Sequence, residues 1–344
     1  MLYLGINCLI KKKEGIILAR RKEKKENSGL KTLVIFLAIL VIAFPAAAFG
    51  YIYFKLNVMH DSTADESILN ETNFQSEKGI TNILLAGTDG RPGEKNSRSD
   101  AMMILTVDSK NKSLKLTSLN RDTYVNIPGH GDQKLTHAYA YGGANLLVET
   151  IENNFEIDIQ NYAVVDFYSF MDIVDTLGGV EVDVRSSEIK ELNNCISSGT
   201  YQWSKNANKE SIKFINSSGV QRLNGYQTLA YARIRKNDST QERDRRQRAV
   251  IEGLIDGVKD LPVTKYPKLL DTILPYIKTN MKPTEIISLA GKVLGMGSLS
   301  ITQIEFPFAN ASTSVTLPKA GFVIKFEKSS LDTLHEFMFK NIIP

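Results

Sequence analysis

Residues Tyr231 to Val250 (YARIRKNDSTQERDRRQRAV) hold six arginines and one lysine, and apolar residues resume directly behind them. A guanidinium takes phosphate oxygens in pairs and keeps its charge at any physiological pH, so the chemistry this stretch offers is phosphate binding. Val250, Ile251, Leu254, Ile255 and Val258 recur at helical spacing. Carried backward, that stripe takes in Arg243, Arg246 and Gln247, while Asp244, Arg245 and Arg248 fall on the other side. An arginine on a buried face needs an anionic partner. Arg243 and Arg246 are therefore expected to meet a bound polyanion, with internal acids such as Asp238 or Asp244 as the alternative. Arg245 and Arg248 are expected to face water. Arg233 and Arg235 flank Ile234 and would share one face of an extended segment.

A second set of residues is spread through the chain before this stretch. Three apolar runs, Ile80–Ala86, Ala101–Val107 and Leu114–Leu119, read as strands. If they form an antiparallel meander, Asp89 ends the first, Asp100 starts the second and Arg121 ends the third. All three then lie at one edge of a sheet. Two carboxylates beside an arginine suit Mg²⁺, which takes one or two carboxylates and completes its shell with phosphate oxygens and water. Taken singly, Asp89 also reads as a turn residue and Asp100 as a cap.

The elements that must position these residues follow in mixed order. Helical patterns cover Ala144–Asn154, Tyr168–Leu177 and Tyr226–Ala232, and strands are expected at Tyr162–Asp166 and Val180–Val184. Gly142-Gly143 and Gly178-Gly179 read as turn and cap glycines. The polar stretch Asn193–Ser218 reads as a surface excursion, in which Trp203 is expected to pack or touch a glycan. Tyr139 and Tyr141 read as core packing. The mixture argues for an α/β layered fold.

Upstream, Thr32–Phe54 runs 23 residues without a charge, long enough to cross a hydrocarbon core of roughly 30 Å as a helix. Residues 1–31 carry a net charge of +6, and the remainder a net of −2. The Lys/Arg bias puts the N-terminus in the cytoplasm and the rest outside. The expected organisation is a basic cytoplasmic tail (1–31), a single transmembrane helix (32–54), a stalk (55–78) and one extracellular domain (79–344). A phosphate site outside the cell, on a domain that is not basic overall, argues against a nucleic-acid partner. Cys8 and Cys195 would lie on opposite sides of the membrane, so no disulfide is expected. The four histidines show no ligand spacing, and no P-loop, G-x-S-x-G elbow or C-x-x-C occurs.

The segments NILLAGTDGR, RSDAMMILTVD, SLNRDTYVNIPG, KLTHAYAYGGANLLVETIE, VVDF, IVDTLGGVEVDV, LNGYQTLAYARIR and RDRRQRAV occur in this order. Together they make the chain resemble the LytR–CpsA–Psr family of cell-wall glycopolymer ligases, over about Ile80–Leu254 with the upstream anchor. The resemblance implies a mixed central sheet sandwiched between helices (α-β-α), with an apolar tunnel for a polyprenyl chain. It implies that Arg91, Arg98, Arg121, Arg233, Arg235, Arg243 and Gln247 hold a lipid-linked pyrophosphate, with Lys134 as a further candidate. It implies Mg²⁺ on Asp89 and Asp100. The donor would be a polyprenyl-pyrophosphate-linked glycan, the acceptor a peptidoglycan sugar hydroxyl, and the base Asp122 or a metal-bound aspartate. The chain departs from the family in keeping Asp238 alone upstream of Arg243. A lipid pyrophosphate hydrolase and a non-catalytic lipid-phosphate-binding regulator of the envelope are the rival readings.

Overall fold

The structure is a computed structural model that describes residues 50–61, 74–90, 97–205, 207, 209–234, 240–259, 261–296 and 301–344. The expected span lies largely outside these residues; its last part, 50–54, is helical. No helix among the described residues is long and apolar enough to cross a membrane. Arg91, Arg235 and Asp238 also lie outside the described residues.

The three expected strands form: β1 (Ile80–Thr88), β2 (Ser99–Asp108) and β3 (Ser113–Leu119). They are an antiparallel meander. A small hairpin, β4 (Tyr124–Ile127) and β5 (Gly131–Lys134), follows. Next come helix α1 (Thr136–Phe155), strand β6 (Asn161–Asp166), helix α2 (Phe167–Thr176) and strand β7 (Val180–Val184). Helix α3 (Ile189–Cys195), strand β8 (Gly219–Leu223), helix α4 (Gly225–Arg233) and helix α5 (Thr240–Lys259) carry the chain through the arginine stretch. The last part adds α6 (Tyr266–Ile273), β9 (Ile277–Thr279), α7 (Pro283–Leu294), β10 (Ile301–Phe306), the hairpin β11 (Ser312–Leu317) with β12 (Gly321–Phe326), and α8 (Ser330–Lys340).

The central sheet is mixed, in the order β10-β3-β2-β1-β6-β9. β6 runs parallel to β1 and β10 parallel to β3, whereas β9 is antiparallel to β6. Both edge strands therefore come from the part of the chain beyond residue 270, which completes the sheet. The strands are apolar on both faces because both are covered. On one face Leu84, Met102 and Ile104 meet Leu147 and Ile151 of α1 and Leu334 and Phe337 of α8. On the other, Ile83, Val107 and Leu114 pack with Met296 and with Leu289 and Val293 of α7. The result is the expected α-β-α sandwich. A further core joins α2, α3, α4, the β7–β8 pair and α5 through Met171, Val182, Leu192, Leu229 and Val250.

Two glycines act as expected. Helix α1 is broken at Gly142 and Gly143, and Gly143 has φ +66°, a left-handed value that glycine adopts without cost. Asn193–Ser218, read as a surface excursion, is instead partly core. Ile196 and Ile215 are buried, and α3 continues through a π-helical turn, Ile196–Thr200, into a helical turn at Tyr201–Trp203.

Candidate functional site

The site is built on an irregularity in the β1–β2 ladder. Gly87 pairs with Ala101, but Thr88 pairs with Ser99, so Asp100 is the extra residue of a β-bulge. A bulge removes one residue from the ladder and re-aims its side chain. The Asp100 carboxylate is turned to Arg121 Nη1 at 2.5 Å. Its backbone carbonyl, released from the ladder, accepts from Arg243 Nη2 at 2.8 Å. One bulged residue thus joins the residue that follows β3 to the N-terminal part of α5, and its own partner there lies 143 positions away in sequence.

From Arg121 the ionic chain continues. Arg121 Nε lies 3.6 Å from Asp122 Oδ2, and Lys134 Nζ lies 2.9 Å from Asp122 Oδ1. Lys134 reaches Asp122 because the β4–β5 hairpin folds back and ends there. Its neighbour Gln133 holds His137 at 3.1 Å and Tyr141 at 2.8 Å. Burial, then the nearby Arg98 and Lys134 cations, lower the His137 pKa below the ordinary imidazole value, against an opposing pull from Asp122. Burial and these cations thus both favour the neutral imidazole.

Asp89 follows β1 directly. Its Oδ1 accepts from the Arg98 backbone amide at 2.6 Å, and its own amide donates to the Arg98 carbonyl at 3.0 Å. The turn role is therefore real, and it leaves the second carboxylate oxygen for other work. The Arg98 side chain itself is exposed. Asp89 and Asp100 thus stand at neighbouring ends of paired strands, and both offer hard oxygen donors. Among the described residues no group of three or more His, Cys, Asp or Glu gathers for a metal. A cation at this edge would take the rest of its shell from phosphate and water, which is how Mg²⁺ is commonly held.

Behind this edge lies a cavity of about 350 Å³ between the sheet and helices α2, α4 and α5. Leu85, Met103, Val165, Phe170 and Leu254 give it an apolar wall, and Asp100, Arg233, Arg243 and Gln247 supply its polar lining. An apolar slot with a cationic group of residues suits an amphiphile with an anionic head. A larger cleft, about 600 Å³, lies between β7–β8 and α5. It shares no lining residue with this site, and its Glu181, Asp183, Glu252 and Asp256 have the wrong sign for a polyanion.

Three expectations for the arginine stretch change. Arg233 is the last residue of α4 and not part of an extended segment. There its charge complements the helix C-terminus. Arg246 was expected at the polyanion, and the structure places it elsewhere. It is 1% exposed; its Nη1 pairs with Glu188 at 3.1 Å, Nε donates to the Tyr231 carbonyl at 3.1 Å and Nη2 to the Ile234 carbonyl at 3.0 Å. Its guanidinium fastens α5 to the end of α4. Arg245, expected in water, is partly buried against the same Glu188 and against Glu242 at 2.9 Å. Arg243 and Gln247 do line the cavity.

Sequence reasoning missed two further contributors. Glu188, buried in the short 3-10 turn before α3, carries no pattern that would pair it with arginines some 58 positions away. The Arg233 guanidinium lies over the Phe167 ring, 4.5 Å from its centroid, and over the Trp203 ring at 4.8 Å. That Trp203 is the chain's one tryptophan was the available signal.

The profile of the LytR_cpsA_psr family matches residues 47–334. The chain belongs to this family. It is 34% identical over 299 residues to the polyisoprenyl-teichoic acid–peptidoglycan teichoic acid transferase TagT of Bacillus subtilis strain 168, covering 83% of this chain and 88% of that protein. A structure of TagT bound to LIIa-WTA superposes with a TM-score of 0.63 at 29% identity, over 81% of this chain and 97% of that one. A LytR-CPS2A-psr family protein, TagT, with bound octaprenyl pyrophosphate lipid superposes at 0.59 and 26% identity, over 81% of this chain and 97% of that one. Family membership agrees with the mixed sheet between helical layers and with an apolar cavity beside clustered arginines.

Proposed function

We propose that this protein is a membrane-anchored phosphotransferase that moves a glycan phosphate from a polyprenyl pyrophosphate to a sugar hydroxyl of peptidoglycan. The observation that carries the reading is the apolar cavity whose polar lining is Asp100, Arg233, Arg243 and Gln247, next to the Asp100–Arg121–Asp122–Lys134 chain. The names of its relatives, and the octaprenyl pyrophosphate seated in one of them, support the same reading. The polyprenyl chain occupies the apolar slot, and Arg233, Arg243, Gln247 and Arg121 face the pyrophosphate. Arg91, Arg98 and Arg235 belong to the same proposed set.

The acceptor oxygen attacks the phosphorus that bears the glycan. A phosphodiester to peptidoglycan forms, the bond to the bridging pyrophosphate oxygen breaks, and polyprenyl phosphate leaves. Such a transfer needs alignment and charge neutralisation more than covalent help. The arginines neutralise the charge that grows on the leaving phosphate. Asp122, fixed by Lys134 and Arg121, takes the hydroxyl proton. Mg²⁺ held by Asp89 and Asp100 would supply electrostatic stabilisation of the pyrophosphate oxygens. The anchor is residues 32–54, with the catalytic domain outside the cell.

The test uses full-length protein in detergent, a polyprenyl-pyrophosphate-linked glycan, Mg²⁺ and a peptidoglycan fragment. Mass spectrometry should find the glycan phosphodiester on the fragment, and Asp100→Asn should abolish it while the protein stays folded. Polyprenyl phosphate released equally without acceptor would make the protein a hydrolase. Donor bound but unchanged under every condition would make it a binder.

A further inference from the structure

The Arg233 side chain is held in an unusual way for a phosphate ligand. Its guanidinium lies across two rings, Phe167 at the start of α2 and Trp203 at the end of the α3 extension. The rings are 6.3 Å apart and nearly parallel, at 12°. The indole is brought there by the π-helical turn Ile196–Thr200, an irregularity frequent at functional positions. Within that turn Gly199 closes against the ring, since a Cβ added there would meet Trp203 Cζ2 at 3.1 Å. The helix around it is anchored by buried Leu192 and Ile196.

We propose that Trp203, with Phe167, is a positioning residue that presents Arg233 to the pyrophosphate of the lipid-linked donor. This rests on the function proposed above and adds a residue to it. A stacking contact uses the face of a guanidinium and leaves its in-plane N–H groups directed outward, where a phosphate meets them. An arginine side chain carries considerable rotamer freedom, and fixing it before the ligand arrives lowers the cost of binding. Arg246, thirteen residues on, is fixed by a carboxylate and two carbonyls that occupy those same groups. Of the two arginines, only the stacked one lines the cavity.

The experiment measures binding of a polyprenyl pyrophosphate to the full-length protein in detergent. Trp203→Ala should weaken it about two- to thirty-fold, the range of a cation–π contact. Trp203→Phe should restore most of the loss. Trp203→Ala should have little further effect in an Arg233→Ala background, because the two act through one contact. Trp203 is also the only tryptophan, so fluorescence excited selectively at tryptophan in the unsubstituted protein reports on this site. Its emission should change on titration with the lipid, and that change should vanish in Arg233→Ala. Independent, additive losses, or binding with unaltered emission, would overturn the positioning role while leaving the pyrophosphate site standing. Unaltered affinity in Arg233→Ala would instead remove Arg233 from the proposed site.

Discussion

Arg243 and Arg246 sit three residues apart on one helix and do different work. Arg246 is sunk among Glu188 and two carbonyls with 1% exposure. Arg243 lines the apolar cavity and touches the bulged Asp100 through its carbonyl. Helical phase marks both as turned toward the protein, and phase cannot say what waits there. Partner identity is a property of the tertiary fold. A saturated arginine is a structural bolt; one placed on a cavity wall beside a released strand carbonyl is a candidate ligand-binding group.

The sharpest way to break this contrast is Arg246→Ala. Removing one partner of a buried ion pair costs about 3–5 kcal/mol, because the remaining charge stays buried. Denaturant unfolding should show that loss, and transfer per folded molecule should be close to unchanged. A normal unfolding midpoint with lost transfer would move Arg246 back to the substrate. Arg243→Ala is the mirror case: transfer should fall about 100-fold, the effect of losing one charge-stabilising donor, with little change in the unfolding midpoint. Arg243→Lys should recover part of it, since the ammonium keeps the charge and loses the fork.

How much of this was legible in the sequence follows from the same contrast. The meander was legible because short apolar runs bounded by turn residues fix it locally, and it brought Asp100 to Arg121. The motif order pointed to the family, and residues 47–334 match it. The bulge at Asp100 was not legible, since a one-residue slip depends on how two strands meet. Neither was Glu188, whose pairing joins segments 58 positions apart. The edge strands β9 and β10 were hidden for a similar reason: each is short and earns its place by pairing with a strand far upstream.

A second pair of residues sharpens the lesson about buried charge. Glu188 has two arginines, whereas the Glu152 carboxylate, 2% exposed in α1, accepts from the Ile159 amide at 2.8 Å. Burial, with Asp158 and Glu149 nearby, raises its pKa to about 8 from 4.5, against the pull of that amide. The folded value lies above the unfolded one, so the folded protein keeps a proton that the unfolded chain loses. Stability from this group is present below about pH 4.5 and is lost as pH rises toward 8, at up to about 1.4 kcal/mol per pH unit. Glu152→Gln keeps the acceptor for Ile159 and removes the titration. Unfolding at pH 5 and pH 8 should therefore show the variant gaining on the unsubstituted protein at the higher pH.

The smallest effect belongs to Arg245, which separates the saturated cluster into a buried and a wet part. It pairs with Glu242, itself joined to Arg185 at 2.7 Å on the surface. Glu242 has its pKa lowered by hydrogen bonds from Arg245 and then Arg185. A lowered folded value means that the stabilisation is present above the ordinary glutamate range and disappears as pH falls through it. Exposed pairs contribute little, so the Glu242 share of the loss in Arg245→Ala should be about 0.5 kcal/mol near neutral pH and low salt. The loss should shrink in high salt, which screens exposed charges, and again in acid, where Glu242 is protonated. Its remaining contact with Glu188 is better shielded and should survive both treatments. A loss as large as that of Arg246→Ala, and insensitive to salt, would mean that Arg245 belongs to the buried bolt and that the boundary between the two arginines is drawn in the wrong place.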